Sequence, residues 1–271
     1  MRRPAVLLIL SLSIALYCLV PFLWFVLTSF KSPAELTAIP PNLIPSFHWS
    51  FYQSALEKYG LLRYIGNSVI VAGSATLISI FIGSLAAYAM ARFNLAWTRL
   101  YLLVLLAISM FPQIAVAGPV WSILDHLHWL NTYQGLVAAY IAFSLPLAIW
   151  ILTTFFREVP TEIEEAALID GCSRSQALYK VVLPLAAPGI LTAALLVFIH
   201  SWNEFFFALI IMTNPDVQTL PVGIALFPGE YTMPWGEIAA ASTLATIPLI
   251  LLTLVFQRGI VRGLSAGAVK G

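Results

Sequence analysis

The sequence predicts an all-α integral membrane protein with six transmembrane helices, and three observations carry that reading. Of 271 residues, 61% are hydrophobic and only 9% charged, a balance that makes lipid rather than water the main solvent. The apolar residues gather into stretches of about 20 or more, the length a helix needs to cross a bilayer core about 30 Å thick. The basic residues then sort to one side of those stretches, the pattern of the positive-inside rule.

The spans fall at about residues 5–30, 65–91, 100–120, 134–156, 186–212 and 237–257, within a single transmembrane domain covering 1–271. Arg2 and Arg3 precede the first span as they would precede a signal peptide, but its apolar run is too long and no small-residue cleavage site follows, so it is read as a retained anchor. With the N-terminus in the cytoplasm, Arg2, Arg3, Arg92, Arg99, Arg157, Arg174, Lys180, Arg258, Arg262 and Lys270 lie inside. Only Lys31, Lys58 and Arg63 fall outside, which places both termini in the cytoplasm. Cys18 belongs to the first span and Cys172 to a cytoplasmic loop, so no disulfide joins them in this reading.

Between Lys31 and Tyr64 the chain mixes Pro33, Pro40, Pro41 and Pro45 with Phe47, Trp49, Phe51 and Tyr52. That mixture predicts a folded outer loop at the membrane surface with short helices in it. In the second span Gly73, Gly83 and Ala87 have a small-residue spacing that lets another helix approach closely. Pro112, Pro119, Pro146 and Pro248 lie inside spans and predict bends. The outer segment at 213–236, with Pro215, Pro221, Pro228 and Pro234, fits a re-entrant or cavity-lining piece.

The loop between the fourth and fifth spans, residues 157–185, is far more polar than its flanks and reads as helix, turn, helix. Thr161 with Glu164 predicts a capping box and a helix start at Glu162, whose early acids suit the positive end of the helix dipole. Ile163, Ala166, Ala167 and Asp170 share a face at helical spacing. Gly171 supplies the left-handed residue that ends the helix, and a second box, Ser173 with Gln176, starts the next one. The acids of this loop outnumber its bases, so a DNA-binding helix-turn-helix is excluded, and a net charge of +1 leaves the chain no basic surface for nucleic acid. The same small residues suit a knob that docks on another protein.

Residues Glu165-Ala166-Ala167, then Gly171, then Val181 and Leu183-Pro184 resemble the EAA loop of bacterial ABC-importer permeases, with Val181 standing where isoleucine is common. Gln257-Arg258 and the run from Gly263 to Gly271 resemble the tail of the carbohydrate, maltose-type members of that family. Thr219-Leu220-Pro221-Val222-Gly223, Trp235-Gly236 and Trp202-Asn203-Glu204 add to the resemblance. It implies a multi-pass subunit of the bacterial inner membrane that works with a sister permease, a dimer of ATP-binding-cassette ATPases and an extracytoplasmic sugar-binding protein. It further implies ATPase coupling through Glu165, Ala166, Ala167, Asp170 and Gly171, and a second contact through Gly263, Leu264, Gly267 and Lys270 in a cytoplasmic tail at 258–271. ATP and Mg would then sit on the partner ATPases and no cofactor on this chain.

The chain's own motifs fit that division. It contains no G-x-x-x-x-G-K-[ST] phosphate-binding loop, and no nucleophile stands with a base in a catalytic pattern. His126 and His128 beside Asp125 are read as a wet turn rather than a metal site. In the fifth span His200, Asn203 and Glu204 come at spacings of three and four, which places them on one face beside Trp202. An ionised carboxylate there must face protein or water, so these residues either line a sugar path or bond between helices. An ion-coupled secondary transporter is the alternative function, although it would not need the long EAA-like loop.

Overall fold

A computed structural model of the chain describes residues 3–93, 97–227 and 233–268, with side chains described from 6 to 256 within those bounds. Every regular element among the described residues is helical. The chain opens with α1 (Arg3–Ser29), then places two short helices, α2 (Pro33–Leu36) and α3 (Ser50–Glu57), before the long α4 (Leu61–Arg92). There follow α5 (Thr98–Ser109), α6 (Gln113–His126) and α7 (Tyr133–Glu158). The polar loop holds α8 (Thr161–Ile169) and α9 (Arg174–Ala177), a wider π turn (Leu178–Val182) and α10 (Leu183–Leu185). Then come α11 (Ala187–Asn203), α12 (Phe206–Ile211), α13 (Leu220–Ala225) and α14 (Trp235–Ala268).

Helices α1, α4 and α7, and the stretch Trp235–Phe256 of α14, are each long and apolar enough to cross a membrane alone. Two bent pairs, α5 with α6 at 89° and Arg174–Leu185 with α11 at 80°, raise the number to six if each pair is one span. The straight span expected at 100–120 is therefore broken. Pro112 is extended (φ −60, ψ 120), and a proline both lacks an N–H and pushes the residue before it out of the helical region. The span expected to run to 212 stops at Asn203, because Glu204 is extended and starts a new helix. At the far end the apolar stretch ends at Phe256, close to the expected 257, and the helix itself continues through the expected tail to Ala268.

Contacts gather in two compact units, Met1–Ile65 with Gly223–Pro248, and Gly66–Val222 with Leu249–Gly271. In the first unit, Phe30, Trp49 and Tyr52 form a ring cluster with centroids 5.0–5.4 Å apart. The Ser29 and Tyr52 hydroxyls bond at 2.7 Å beneath it. Gly236 lies so close to the Phe51 ring that no side chain fits there. A cavity of about 850 Å³ opens in this unit, lined among others by Trp24, Lys31, Tyr59, Trp235 and Glu237, with the Lys31 ammonium 4.4 Å from the Trp24 ring centroid. α2 is held by a capping box that the sequence reading overlooked, Ser32 with Glu35.

In the second unit α7 is the central helix, packed by α5, α11 and α12. Gly83 of α4 approaches Leu152 and Ala148 of α7, and Ala87 is fully buried, so part of the small-residue spacing serves helix contact as expected. A Cβ at Gly73 would meet no described atom within 4 Å, so no close approach occurs there within this chain. Gly189 of α11 sits against the Phe155 ring of α7 with no room for a Cβ. One apolar cluster joins Ala87 and Tyr88 to Ile151, Leu152, Phe156, Val159, Leu178 and Val182. This is the floor on which the polar loop is built.

Candidate functional site

The loop at 157–185 forms an elbow whose shape follows from two turns. Helix α7 ends because Val159 precedes Pro160 and is extended (φ −72, ψ 122). Helix α8 ends at Gly171, whose φ of +87 lies in the left-handed region. There the Gly171 N–H donates to Leu168 O at 3.1 Å and the Cys172 N–H to Ala167 O at 3.0 Å. The second capping box forms as expected: Gln176 N donates to Ser173 Oγ at 3.3 Å, and Ser173 N to Gln176 Oε1 at 2.8 Å.

Ala177, Leu178 and Val182 point into the apolar floor and anchor the elbow. On the outside stand Ile163, Glu165, Ala166, Asp170 and Gly171, all exposed, with Ala167 half-buried. Ile169, 86% exposed, completes the face. A small helix carrying apolar and acidic groups outward, fixed to a packed floor, is suited to insertion into a partner's cleft.

The inward face was misjudged from sequence. Thr161 and Glu164 do not form a capping box; Pro160 occupies the N-cap position with no side-chain bond. Glu164 instead turns inward and is buried. Its Oε2 accepts from Arg92 Nε at 2.6 Å, and its Oε1 accepts from the Tyr88 hydroxyl. Arg92 Nη2 also donates to Val159 O at 2.9 Å, and the Tyr88 hydroxyl lies 3.4 Å from Arg174 O. The ion-paired side chains are only 6% and 5% exposed. A buried cation exerts a stronger hold on the carboxylate than backbone N–H groups that water can also satisfy, which is why the spacing misled. A basic residue four after a tyrosine at the end of a span was the available signal.

The residues in the expected sugar path do not act as one face. His200 and Asn203 are exposed at the end of α11, with Asn203 Nδ2 donating to Ile199 O at 2.8 Å. Trp202 is buried and stacks on Phe198 at 5.5 Å. Glu204 is buried too, and its carboxylate accepts from the backbone N–H groups of Phe207 at 2.9 Å and Ala208 at 3.1 Å. That carboxylate serves the start of α12, and the Tyr140 hydroxyl of α7 donates to the Glu204 backbone O at 3.4 Å, so the residue also bonds between helices, one of the two roles expected for it. The Ser144 and Ser201 hydroxyls, on α7 and α11, are buried without a hydrogen-bond partner among the described residues. In the tail, Gly263, Leu264 and Gly267 lie in the backbone of α14 with side chains outside the described residues, and Lys270 lies outside the described residues altogether.

The segment before α13 is stapled by two asparagines. Asn67 Nδ2 donates to Asp216 O at 3.0 Å and Gln218 O at 2.8 Å, while Tyr133 donates to its Oδ1 at 2.7 Å. Asn131 Oδ1 accepts from Asn214 N at 2.7 Å, and Ser68 Oγ accepts from Leu220 N at 2.8 Å. These residues carried no motif and went unnoticed in the sequence.

Comparison with known proteins bears on both the fold and the elbow. The family model of binding-protein-dependent transport system inner membrane components matches residues 79–266, a stretch that contains the whole elbow. The trehalose/maltose transport system permease protein MalG of Thermococcus litoralis is 42% identical over 271 residues, covering 96% of this chain and 95% of that protein. The trehalose transport system permease protein SugB of Mycobacterium tuberculosis is 40% identical, covering 100% and 99%. A crystal structure of a bacterial ABC transporter involved in the import of the acidic polysaccharide alginate matches with a TM-score of 0.78 at 22% identity, covering 95% of this chain and 96% of that one. That last likeness speaks for the fold.

Proposed function

This chain belongs to the family of binding-protein-dependent transport system inner membrane components, and on that premise we propose that it is a permease subunit of a sugar importer powered by ATP-binding-cassette ATPases on separate chains. With a sister permease it forms a path for an oligosaccharide of the trehalose or maltose kind, delivered by an extracytoplasmic binding protein. The names of the two relatives support that substrate class.

The observation that carries the reading is the elbow's outward face, a short helix with Glu165, Ala166, Ile169, Asp170 and Gly171 exposed on an anchored base. Glu165 and Asp170 accept charge-assisted hydrogen bonds from the ATPase, and Ala166 and Ala167 let the backbones approach. The tail around Gly263, Leu264, Gly267 and Lys270 makes the second contact. Along the path, His200 and Asn203 are the exposed polar groups at the end of α11 and are the side chains offered to the sugar. ATP and Mg bind the partners.

The test is Glu165→Lys and Gly171→Asp in the assembled transporter. Both variants reach the membrane in normal amounts, lose sugar uptake, and lose the rise in ATP hydrolysis that sugar-loaded binding protein causes. Normal uptake in both, or uptake that survives ATP depletion and collapses with an uncoupler, overturns the reading in favour of an ion-coupled carrier.

A further inference from the structure

We propose that Tyr88 and Arg92, through Glu164, are positioning residues that lock both hinges of the elbow to the end of α4, so that the docking helix and this span move as one body. The proposal rests on the coupling role given to the elbow above. It concerns the side of α8 opposite the docking face.

Helix α8 is joined to its neighbours by two flexible points, the Val159-Pro160 turn before it and the Gly171 turn after it. A helix hung on two turns swivels when pushed, and a push then moves the helix without moving the spans. The contacts from α4 remove both freedoms. Arg92 holds Val159 O on one side of the first turn and Glu164 on the other. Tyr88 gives its one hydroxyl proton to Glu164 on one side of the second turn and packs the same oxygen 3.4 Å from Arg174 O on the other. One carboxylate is thus the shared pin of both braces. Tyr88 and Arg92 are four apart, which puts them on the same face of the last turn of α4. The Arg174 guanidinium, 5.2 Å from the Phe93 ring centroid, adds a third contact just beyond that helix.

The two neighbouring glutamates consequently have opposite tasks. Glu165 faces outward to be gripped, and Glu164 faces inward to hold. Without Glu164 the elbow still meets its partner, but the stroke is spent in the turns.

The experiment uses the whole transporter in proteoliposomes and reads sugar imported per ATP hydrolysed, with the amount of ATPase that co-purifies as control. Glu164→Gln lowers the ratio at least tenfold with ATPase still bound. Tyr88→Phe, which removes one hydroxyl and leaves the ring, lowers it about threefold. The exchanged pair Arg92→Glu with Glu164→Arg recovers to within about threefold of the parent. An unchanged ratio in both Glu164→Gln and Tyr88→Phe overturns the proposal. So does a loss of uptake that follows loss of ATPase from the complex, because the cluster then only keeps the elbow folded. Failure of the underlying reading shows separately, in the unaltered transporter, as the absence of any ATPase companion.

Discussion

Glu164 and Glu204 are both buried carboxylates at helix breaks, yet their partners come from different distances along the chain. The Glu204 carboxylate takes two N–H groups three and four residues ahead, at the start of α12, and only the residue's backbone O accepts from a distant helix, at the Tyr140 hydroxyl. Glu164 takes a guanidinium and a hydroxyl from a helix more than seventy residues earlier, so its charge ties two elements together. Burial alone therefore does not announce a role. The span of the contact decides whether a buried charge trims one helix end or fixes the relation between two helices.

The sharpest way to break this contrast is to orphan each carboxylate in turn. Arg92→Ala leaves Glu164 buried without its cation and costs about 3–5 kcal/mol, read as a fall in the denaturation midpoint of the detergent-purified chain. Glu204→Gln keeps one acceptor but turns the other position into a donor facing a backbone N–H, and costs about 1–3 kcal/mol by the same measurement. Should the second loss equal the first, local capping carries as much as the long-range pair and the distinction fails.

Two milder changes sharpen it. Ser173→Ala removes a neutral side-chain acceptor from the start of a helix, as Glu204→Gln alters a charged one, and costs about 1 kcal/mol. Thr161→Ala, whose spacing from Glu164 imitates a cap, costs under about 0.5 kcal/mol, because its side chain makes no capping bond. Denaturant midpoints of the two variants separate the real box from the apparent one.

The smallest effect belongs to a third carboxylate, Glu35, which lies in solvent. Its pKa is lowered from 4.5 to about 2 by the Ser32 backbone N–H first, and by Ser46. A depressed value means that the stabilisation is fully present above about 4.5 and is lost as pH falls through about 2. The protection of the Ser32 and Ser46 amides, taken relative to the intrinsic exchange rate at each pH, is expected to hold at pH 5 and to fall toward pH 2, while the protection of amides in the buried α7 core changes little. Protection at these two sites that ignores pH over that interval removes Glu35 as their brace.

Much of the elbow was legible beforehand because its signals are local. Gly171 and the Ser173–Gln176 box state their geometry within four residues, and the exposed Glu165 and Asp170 follow from a helix that polar residues keep out of lipid. The supposed box at Thr161 shows the limit. The same spacing is compatible with a cap or with an inward carboxylate, and only Arg92 on another helix chose between them. The polar group at the end of α11 failed for a related reason. Helical spacing assumes an unbroken helix, whereas Glu204 stabilises the break by accepting the N–H groups that the break sets free.

By itself the sequence determined the solvent, the helical class and the sites of the apolar stretches, since a bilayer forces about 20 apolar residues into hydrogen-bonded helices whatever their neighbours. It also determined the Gly171 turn, the Ser173–Gln176 box and the elbow's outward groups. The tertiary structure alone decided where α5 and α6 bend, why the fifth span stops at Asn203, and which partner each buried carboxylate takes. Those outcomes depend on competition among donors that meet only after the chain has packed, and a buried charge goes to whichever meeting leaves no group unpaired.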